Sequence, residues 1–581
     1  MKGGAGMSTE KMSTDILVIG ASIAGLATAV SAKEKNPDVD VLIVEKYFSG
    51  YSGKANRGAG IVFVLGDHTP GEFMDFQIKN IGIYLNKQDT LYKYASKANQ
   101  NMERLDSWTK RLCRDENGKW ITLKWAAQPV GKKENGKPIF KDSEFPWTLV
   151  ALELDYIREL KKTAKKLGVK FVDRVGIVDF LKDGERVCGA IGYHIEDGTQ
   201  YVFSAKAVVA ANGNQNYRIM PMWSPGRGEG IAAAFRAGAE FANCEFGSFY
   251  NWISLDNFES SMGVEEALYN DKGENVGKQH RTGVHSDIDS HTLAEWYKQM
   301  RAGNGPMHYH INENSMMPYL TSVLASDSVF HRPYADRFWG TLFFNAFTSE
   351  TNDQIVPGLI AEFSPLKVDI NMATTVRGLY AAGDICYAGS RMVGAVPCPP
   401  GRIRGGGISY ALFSGIEAGE SSASYVSSAK PSQYQEKEIE ENRNRMFACM
   451  NRPGGIHPKE VVRQIQLVVE PLGRSLFMHE QRLNYAIAEV ERIKGLLDKM
   501  TASDMHSLFE CNEARSMALC AEMFFRSAKL RKESRGWFLR EDYLKRDDAN
   551  YLKWFIVKND NGKVSFSEER VPIETYNIKP Q

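Results

Sequence analysis

The chain has 581 residues, enough for roughly three to four compact units around a large buried core. Its 72 basic and 71 acidic side chains nearly cancel, so no global field draws it to nucleic acid or to an anionic membrane. Eight cysteines (Cys113, Cys188, Cys244, Cys386, Cys398, Cys449, Cys511 and Cys520) are scattered without a CxxC pair. That spacing speaks against a zinc knuckle, an in-chain iron–sulfur cluster or any other metal site, and for reduced thiols. The opening MKGGAGMSTEKMSTD has no apolar core, and no later run approaches a membrane span, so the expectation is a cytoplasmic protein with no transmembrane segment.

In chain order, a tail over residues 1–14 precedes DILVIG at 15–20, a short β-branched run ending in glycine. SIAGLATAVSAKEK follows with helical spacing of small and apolar residues, and VDVLIVEK at 39–46 reads as the next buried strand. Strand, glycine turn, helix and strand in close succession form the unit that holds a dinucleotide at a helix N-terminus. The fingerprint is imperfect: Gly20-Ala21-Ser22-Ile23-Ala24-Gly25 has serine where a pyrophosphate usually meets glycine. Glu45, twenty residues beyond Gly25, is placed to accept hydrogen bonds from an adenosine ribose. The alternative is an ordinary βαβ crossover.

Further pieces of such a fold lie downstream. AKAVVAANGN at 205–214 and TTVRGLYAAGD at 374–384 are buried strands ending in glycine turns. Asp384 closes the second, either meeting a ribityl or phosphate group of an extended cofactor or capping the next helix. The nucleotide fold is therefore split, with a first part at 15–246 and a second at 360–426. Between them, residues 247–359 are rich in aromatics, histidines and asparagines and form a candidate lid. Alternation in PMHYHI puts His308 and His310 of this insertion on one face. Trp223, Phe249, Tyr250 and Trp252 form either an aromatic wall over a ligand or ordinary core. GRIRGGGISYA at 401–411 sets two arginines before three glycines. Arginine offers a planar fork suited to carboxylate, sulfate or phosphate, and glycines let a flat ligand approach the backbone; the alternative is a solvated turn. From 427 to 581 helical periodicity dominates, with Leu483, Ile487, Val490 and Leu497 on one face of LNYAIAEVERIKGLL.

Together these stretches resemble the flavoprotein subunits of the succinate dehydrogenase and fumarate reductase superfamily, which includes the alpha subunit of adenylylsulfate reductase. The resemblance covers nearly the whole chain. It rests on GASIAG with Glu45-Lys46, SGKANRGAG at 52–60, AKAVVAANGN followed by GEGIAAAFRAGAEF, GNGPMHYH at 303–310, TTVRGLYAAGD, GRIRGGGIS, and ESRGWFLREDYLKRDDANYLKW at 533–554. The last stretch either faces a partner subunit or locks the helical domain onto the nucleotide domain.

The resemblance implies an α/β fold: a split Rossmann-type FAD-binding domain, an inserted α+β capping domain at 247–359 and a C-terminal helical domain at 427–581. It implies FAD held by Gly20, Ser22, Gly25, Glu45, Lys46 and Asp384, with Ser52, Gly53 and Asn56 near the flavin. In members that bond FAD covalently a histidine follows the serine of this turn; Gly53 stands there, so the FAD is expected to be noncovalent. Electrons would leave through a separate ferredoxin-like iron–sulfur subunit.

Aligning Ile408-Ser409 with the family's substrate motif places Arg402 at the arginine that grips a substrate carboxylate. Arg404 has no counterpart and binds substrate, binds FAD phosphate, or faces solvent. Two family groups are missing. The substrate histidine has no equivalent in LIAEFSPLKVD, where Ala361 and Glu362 stand, and the arginine proton donor falls at His291 or Thr292. Arg281, His285, His291, His308 and His310 are the remaining candidates for an acid or anion clamp. The expected function is an FAD-dependent oxidoreductase performing two-electron chemistry on a small anionic substrate. The alternative is an FAD-containing electron-transfer or scaffold subunit without turnover of its own.

Overall fold

A computed structural model describes residues 8–56, 60–123, 129–132, 138–140, 145–219, 226–247, 250–255, 260–261, 268–280, 290–310, 354–359, 363–386, 406–431 and 433–581. Arg281, Arg402 and Arg404 lie outside the described residues, as do Trp223, Phe249, His285, Ala361, Glu362 and Cys398.

The first strand, β1 (Thr9–Ile19), feeds α1 (Ile23–Lys35) and then β2 (Val41–Glu45). ILVI and VLIVE are apolar without alternation because parallel strands between helices are covered on both faces. Next come β3 (Lys170–Asp173), β4 (Val175–Asp183), β5 (Arg186–His194) and β6 (Gln200–Ala210). The sheet runs β3-β2-β1-β6-β5-β4, with β1, β2, β3 and β6 parallel and the β6-β5-β4 edge antiparallel. Strand β1 begins before its apolar run: residues 9–14, assigned to a tail on composition, pair with β6 from Thr9↔Gln200 to Thr14↔Ala205. That half of the strand is partly solvent-exposed, so burial imposes no apolar signature on TEKMST.

Beyond β6 the chain forms α2 (Glu229–Ala237) and β7 (Phe241–Ala242). It enters the insertion through β8 (Tyr250–Ser254), continues through α3 (Ser290–Arg301), and leaves through β9 (Ile355–Leu359). β8 and β9 are antiparallel, Tyr250 opposite Leu359, so entry and exit lie side by side. Tyr250 and Trp252 are fully buried, which makes these two aromatics core. The chain then returns to the main sheet: β10 (Leu379–Ala381) pairs parallel with Val208–Ala210, the final three residues of β6.

Helix α4 (Gly406–Val426) packs along α1 at close range. A Cβ on Gly415 would lie 2.5 Å from the Ala24 carbonyl oxygen, and one on Gly419 would lie 2.3 Å from that of Thr28. The two backbones touch because glycine leaves room, and this fixes where the N-terminus of α1 points. In the helical domain, α5 (Glu480–Leu497) buries Leu483, Ala486, Val490 and Ile493 against α6 (Met505–Leu530). The buried stripe is turned slightly from the one read in the sequence, since Ile487 and Leu497 are only half-buried.

Residues 531–554, which begin just before the ESRGWFLRED stretch, form a clamp. Arg531 is fully buried and donates to Glu245 (3.0 Å), Glu533 (2.7 Å) and the carbonyls of Tyr551 (2.9 Å) and Lys553 (2.8 Å). Arg535, equally buried, pairs with Glu533 (2.7 Å) and donates to the Ile83 carbonyl (3.0 Å). Trp554, in β11 (Lys553–Asp560), donates from its indole to the Leu85 carbonyl at 2.8 Å. β11 also pairs with β7 and with β12 (Lys563–Arg570), which ties the C-terminal unit to the nucleotide domain on two sides. Among the described residues no helix is long and apolar enough to cross a membrane.

Candidate functional site

The site is built around the first turn of α1. Gly20 ends β1 with φ +105° and donates to the Val44 carbonyl at 2.8 Å, which locks the turn between β1 and β2. Its backbone is in close contact with β6: an added Cβ would sit 2.4 Å from the Ala211 oxygen. A Cβ on Gly25 would meet the Gly20 oxygen at 1.9 Å, so only glycine lets the helix start this close to the strand. Ser22 is the N-cap residue, and its side chain makes no capping hydrogen bond; no acidic residue lies in the first turn. The first N–H groups of a helix lack intrahelical acceptors and carry roughly half a positive charge together, so this terminus favours an anion.

Glu45 closes β2, almost fully buried, one oxygen accepting from Ala21 N at 2.8 Å and the other from Tyr47 N at 3.0 Å. Each carboxylate oxygen keeps a second lone pair for an external hydroxyl. The next turn folds back over the helix terminus. Gly50 N reaches the Ala21 oxygen at 3.4 Å, and Gly53, at φ +88°, lies so near Ser22 that an added Cβ would be 2.5 Å from the serine Cβ. Asn56 donates from its side chain to the Ser52 carbonyl at 2.7 Å, which holds the turn closed. Lys54 spans to Asp384 at 3.4 Å and so links this turn to the segment after β10. Beside Asp384, Gly383 donates to the Ser414 hydroxyl of α4 at 2.9 Å.

Gly20, Ser22, Gly25, Glu45, Ser52, Gly53, Asn56 and Asp384, far apart in sequence, are thereby joined in one network of turns. Lys46 has other partners. Its buried ammonium lies 2.6 Å from Glu229 at the start of α2 and 2.8 Å from Glu513 of α6. Burial alone would lower its pKa; the two carboxylates outweigh burial and hold it above the usual lysine range. Arg218 joins the same cluster, 2.9 Å from Glu510 and 3.4 Å from Glu513. Lys46 thus couples the end of β2 to the helical domain.

Two buried polar atoms test whether a large cofactor fits here. Among the described residues, the Ser52 hydroxyl and the Asn212 side-chain oxygen have no hydrogen-bond partner. Asn212 follows β6 directly and abuts α2, where a Cβ on Gly230 would fall 2.3 Å from its oxygen. Unpartnered polar atoms beside a free helix terminus are what a polar, phosphate-bearing ligand would satisfy, so the residues fit FAD. Asn212 and Lys54 went unread in the sequence: AANGN and SGKANRGAG contain them, but only the long-range contacts single them out.

The histidine candidates lie elsewhere. His291 is exposed on α3 and meets the Gly536 carbonyl at 3.1 Å, while Thr292 beside it is buried. Ala294 of the same helix packs with Phe477 and Leu539, and Arg301 pairs with Glu541 at 3.2 Å. α3 is therefore seated on the helical domain. His308 is half-buried opposite Tyr269 where the short strands Leu268–Tyr269 and His308–Tyr309 pair antiparallel, and the His310 ring meets Tyr269 edge-on at 4.9 Å. Among the described residues no group of three metal-ligating side chains converges.

Residues 15–254 match the FAD binding domain model, and residues 474–581 match the fumarate reductase flavoprotein C-terminal model. The chain is 27% identical to the 8-methylmenaquinol:fumarate reductase flavoprotein subunit of Wolinella succinogenes, over 98% of this chain and 92% of that protein. It is 23% identical to the fumarate reductase flavoprotein subunit of Mycobacterium tuberculosis, over 94% of this chain and 95% of that one. Among solved structures, an E. coli quinol fumarate reductase superposes with a TM-score of 0.77 at 18% identity, covering 98% of both chains. Adenylylsulfate reductase from Archaeoglobus fulgidus gives 0.74 at 19% identity, covering 98% of this chain and 97% of that one.

Proposed function

The chain belongs to the succinate dehydrogenase/fumarate reductase flavoprotein superfamily and is an FAD-dependent oxidoreductase, and from that premise we propose that it acts on a small anionic substrate and exchanges electrons with a ferredoxin-like iron–sulfur subunit in the cytoplasm. The observation that carries the proposal is the meeting of the Ser52–Gly53 turn, the free α1 terminus and the Lys54–Asp384 pair in one network. The N–H groups of α1 would hold the pyrophosphate of FAD, Glu45 the adenosine ribose, and Ser52, Asn212 and Asp384 further polar groups along it. When bound, FAD supplies the two-electron transfer; the chain positions it and its substrate.

The FAD is held noncovalently in this reading. Gly53 offers no side-chain atom for a bond, and a larger residue would run into Ser22. Acid precipitation of the native protein should leave the flavin in the supernatant; flavin remaining on the pellet would refute noncovalent attachment.

Arg402 is the proposed substrate anchor, and Arg281, His291 or His308 the source of a proton or a second anion contact. In the test, the flavin is photoreduced anaerobically and its absorption followed while fumarate, adenylylsulfate and other small anionic oxidants are added. Reoxidation by one of them is the expected result. Arg402→Ala should then raise KM about ten- to a hundredfold, the loss of one charge-assisted anion contact; unchanged affinity and turnover would sink the anchor. If no compound reacts while an iron–sulfur protein still reoxidises the flavin, the subunit transfers electrons without a substrate of its own.

A further inference from the structure

The helical domain carries a pair of thiols that the flavin site does not use. Cys449 lies just beyond the helix Glu436–Phe447, in a turn laid against residues 500–502 by Ala502 N to Cys449 O (2.9 Å) and Asn451 N to Ala502 O (2.9 Å). Cys511 and Arg515 stand one helical turn apart on α6 and face that turn. The Arg515 guanidinium donates to the Cys449 sulfur at 3.2 Å, and the Cys511 thiol leans toward the Thr501 carbonyl at 3.9 Å. Both cysteines are thereby held against the 501–502 segment, Cys449 through its backbone carbonyl and Cys511 through its thiol.

We propose that Cys449 and Cys511 form a peroxide-reactive pair, in which a hydroperoxide oxidises Cys449 and Cys511 converts the product to an intrachain disulfide. Thiolates, not thiols, attack peroxides, and a thiolate forms where a donor thiol and a cation face it. Here the Cys511 S–H and the Arg515 and Arg452 guanidiniums hold Cys449 below the ordinary thiol range, against its burial. Hydrogen bonding to Cys449, burial and the Glu510 carboxylate push Cys511 the other way, so it keeps its proton. Burial raises Cys188, Cys244, Cys386 and Cys520 as well, which sets Cys449 apart from them.

Both sulfurs are buried, but the arginine beside them reaches the surface: the Arg515 side chain is 21% exposed and lies 3.8 Å from Asp498, which is 95% exposed. The route proposed for a small hydroperoxide runs along this guanidinium. In the first step the Cys449 thiolate attacks the outer peroxide oxygen, the O–O bond breaks, and the alcohol or water leaves after taking a proton from solvent. The product is a sulfenic acid. The Cys511 sulfur then attacks the sulfenic sulfur, its proton leaves with the hydroxyl as water, and the S–S bond forms. Two thiols lose two electrons and the peroxide gains them.

The holoprotein, prereduced and freed of reductant, is treated with graded hydrogen peroxide, blocked with N-ethylmaleimide after unfolding, and mapped by peptide mass. The expected result is a cross-linked 449–511 peptide pair, lighter by two hydrogens, formed at peroxide levels that leave Cys188, Cys244, Cys386 and Cys520 fully blocked by the reagent. Cys511→Ser should stop the reaction at a sulfenic acid on Cys449 that dimedone traps, and Arg515→Gln should slow oxidation about tenfold. Melting curves check that both variants stay folded. Cys449 oxidising no faster than the other buried cysteines, or an Arg515→Gln protein that is folded and equally fast, would overturn the proposal.

Discussion

The first turn of α1 and the Arg531–Glu533–Arg535 clamp are both buried, yet they are assembled from opposite materials. The helix terminus uses residues with almost no side chain, leaving N–H groups turned to the ligand space with a serine hydroxyl and an asparagine oxygen unpartnered nearby. The clamp uses the longest charged side chains available and consumes them: Arg531 alone meets two carboxylates and two backbone carbonyls. A site that must receive an outside anion keeps its donors free, whereas one that must hold two domains together spends them internally. The most extended family-like stretch of the sequence is therefore a fastening, and the proposed cofactor site gathers at a turn of small residues.

The sharpest way to break this contrast is Arg531→Ala. It leaves Glu245 buried without the arginine that pairs with it and Glu533 with Arg535 alone, a loss of about 3–5 kcal/mol. A large drop in Tm should appear with and without FAD; a normal melting curve would mean that the clamp carries no load. Lys46→Met attacks the second fastening and should cost less, about 2–3 kcal/mol, because Arg218 remains beside Glu513. Pairing it with Glu229→Gln should recover part of the stability in a double-mutant cycle.

Gly53→Ala tests the other side of the comparison. Its cost of about 1–3 kcal/mol comes from a left-handed φ and a contact with Ser22. With the turn free to relax when no flavin is bound, the variant should weaken FAD binding roughly ten- to a hundredfold, read by flavin fluorescence during dialysis, while Tm of the flavin-free protein moves little. Equal losses in both would make this turn structural as well. The smallest effect concerns acid. Burial would raise the Asp542 carboxyl, but Arg540 and the Glu480 N–H outweigh burial and lower it. Its contribution is then present above the ordinary aspartate value of about 4 and is lost as pH falls through the lowered folded value. Plotted against pH, Tm of the wild type and of Asp542→Asn should differ above about pH 4 and draw together as the pH falls from there through the lowered folded value.

Local pattern and long-range contact explain what the sequence disclosed. ILVI, VLIVE and the Gly20–Gly25 spacing are short-range features, so the strand–turn–helix–strand unit and the place of Glu45 at the end of β2 were legible. The polar half of β1 was not, because its residues face partly into solvent and pair by backbone alone. Lys46 read as a cofactor ligand because it follows Glu45; its partners at 229 and 513 leave no trace in neighbouring residues. Lys54–Asp384 and the unpartnered Asn212 oxygen are equally invisible to periodicity. The alternation expected of His308 and His310 needs a strand through both, whereas the strand spans His308–Tyr309 and His310 lies just beyond it, its ring against Tyr269.

The pairing of Val208–Ala210 with Leu379–Ala381 has a consequence for synthesis. A ribosome finishing β6 still has roughly 170 residues to add before the neighbouring strand exists, which takes on the order of ten to thirty seconds at 5–20 residues per second. During that interval an apolar strand edge waits without its partner, and such edges recruit other chains. The nascent protein is thus most prone to aggregate at mid-synthesis, and slowing initiation or supplying a chaperone that shields strand edges should raise the soluble yield more than any change to the finished fold.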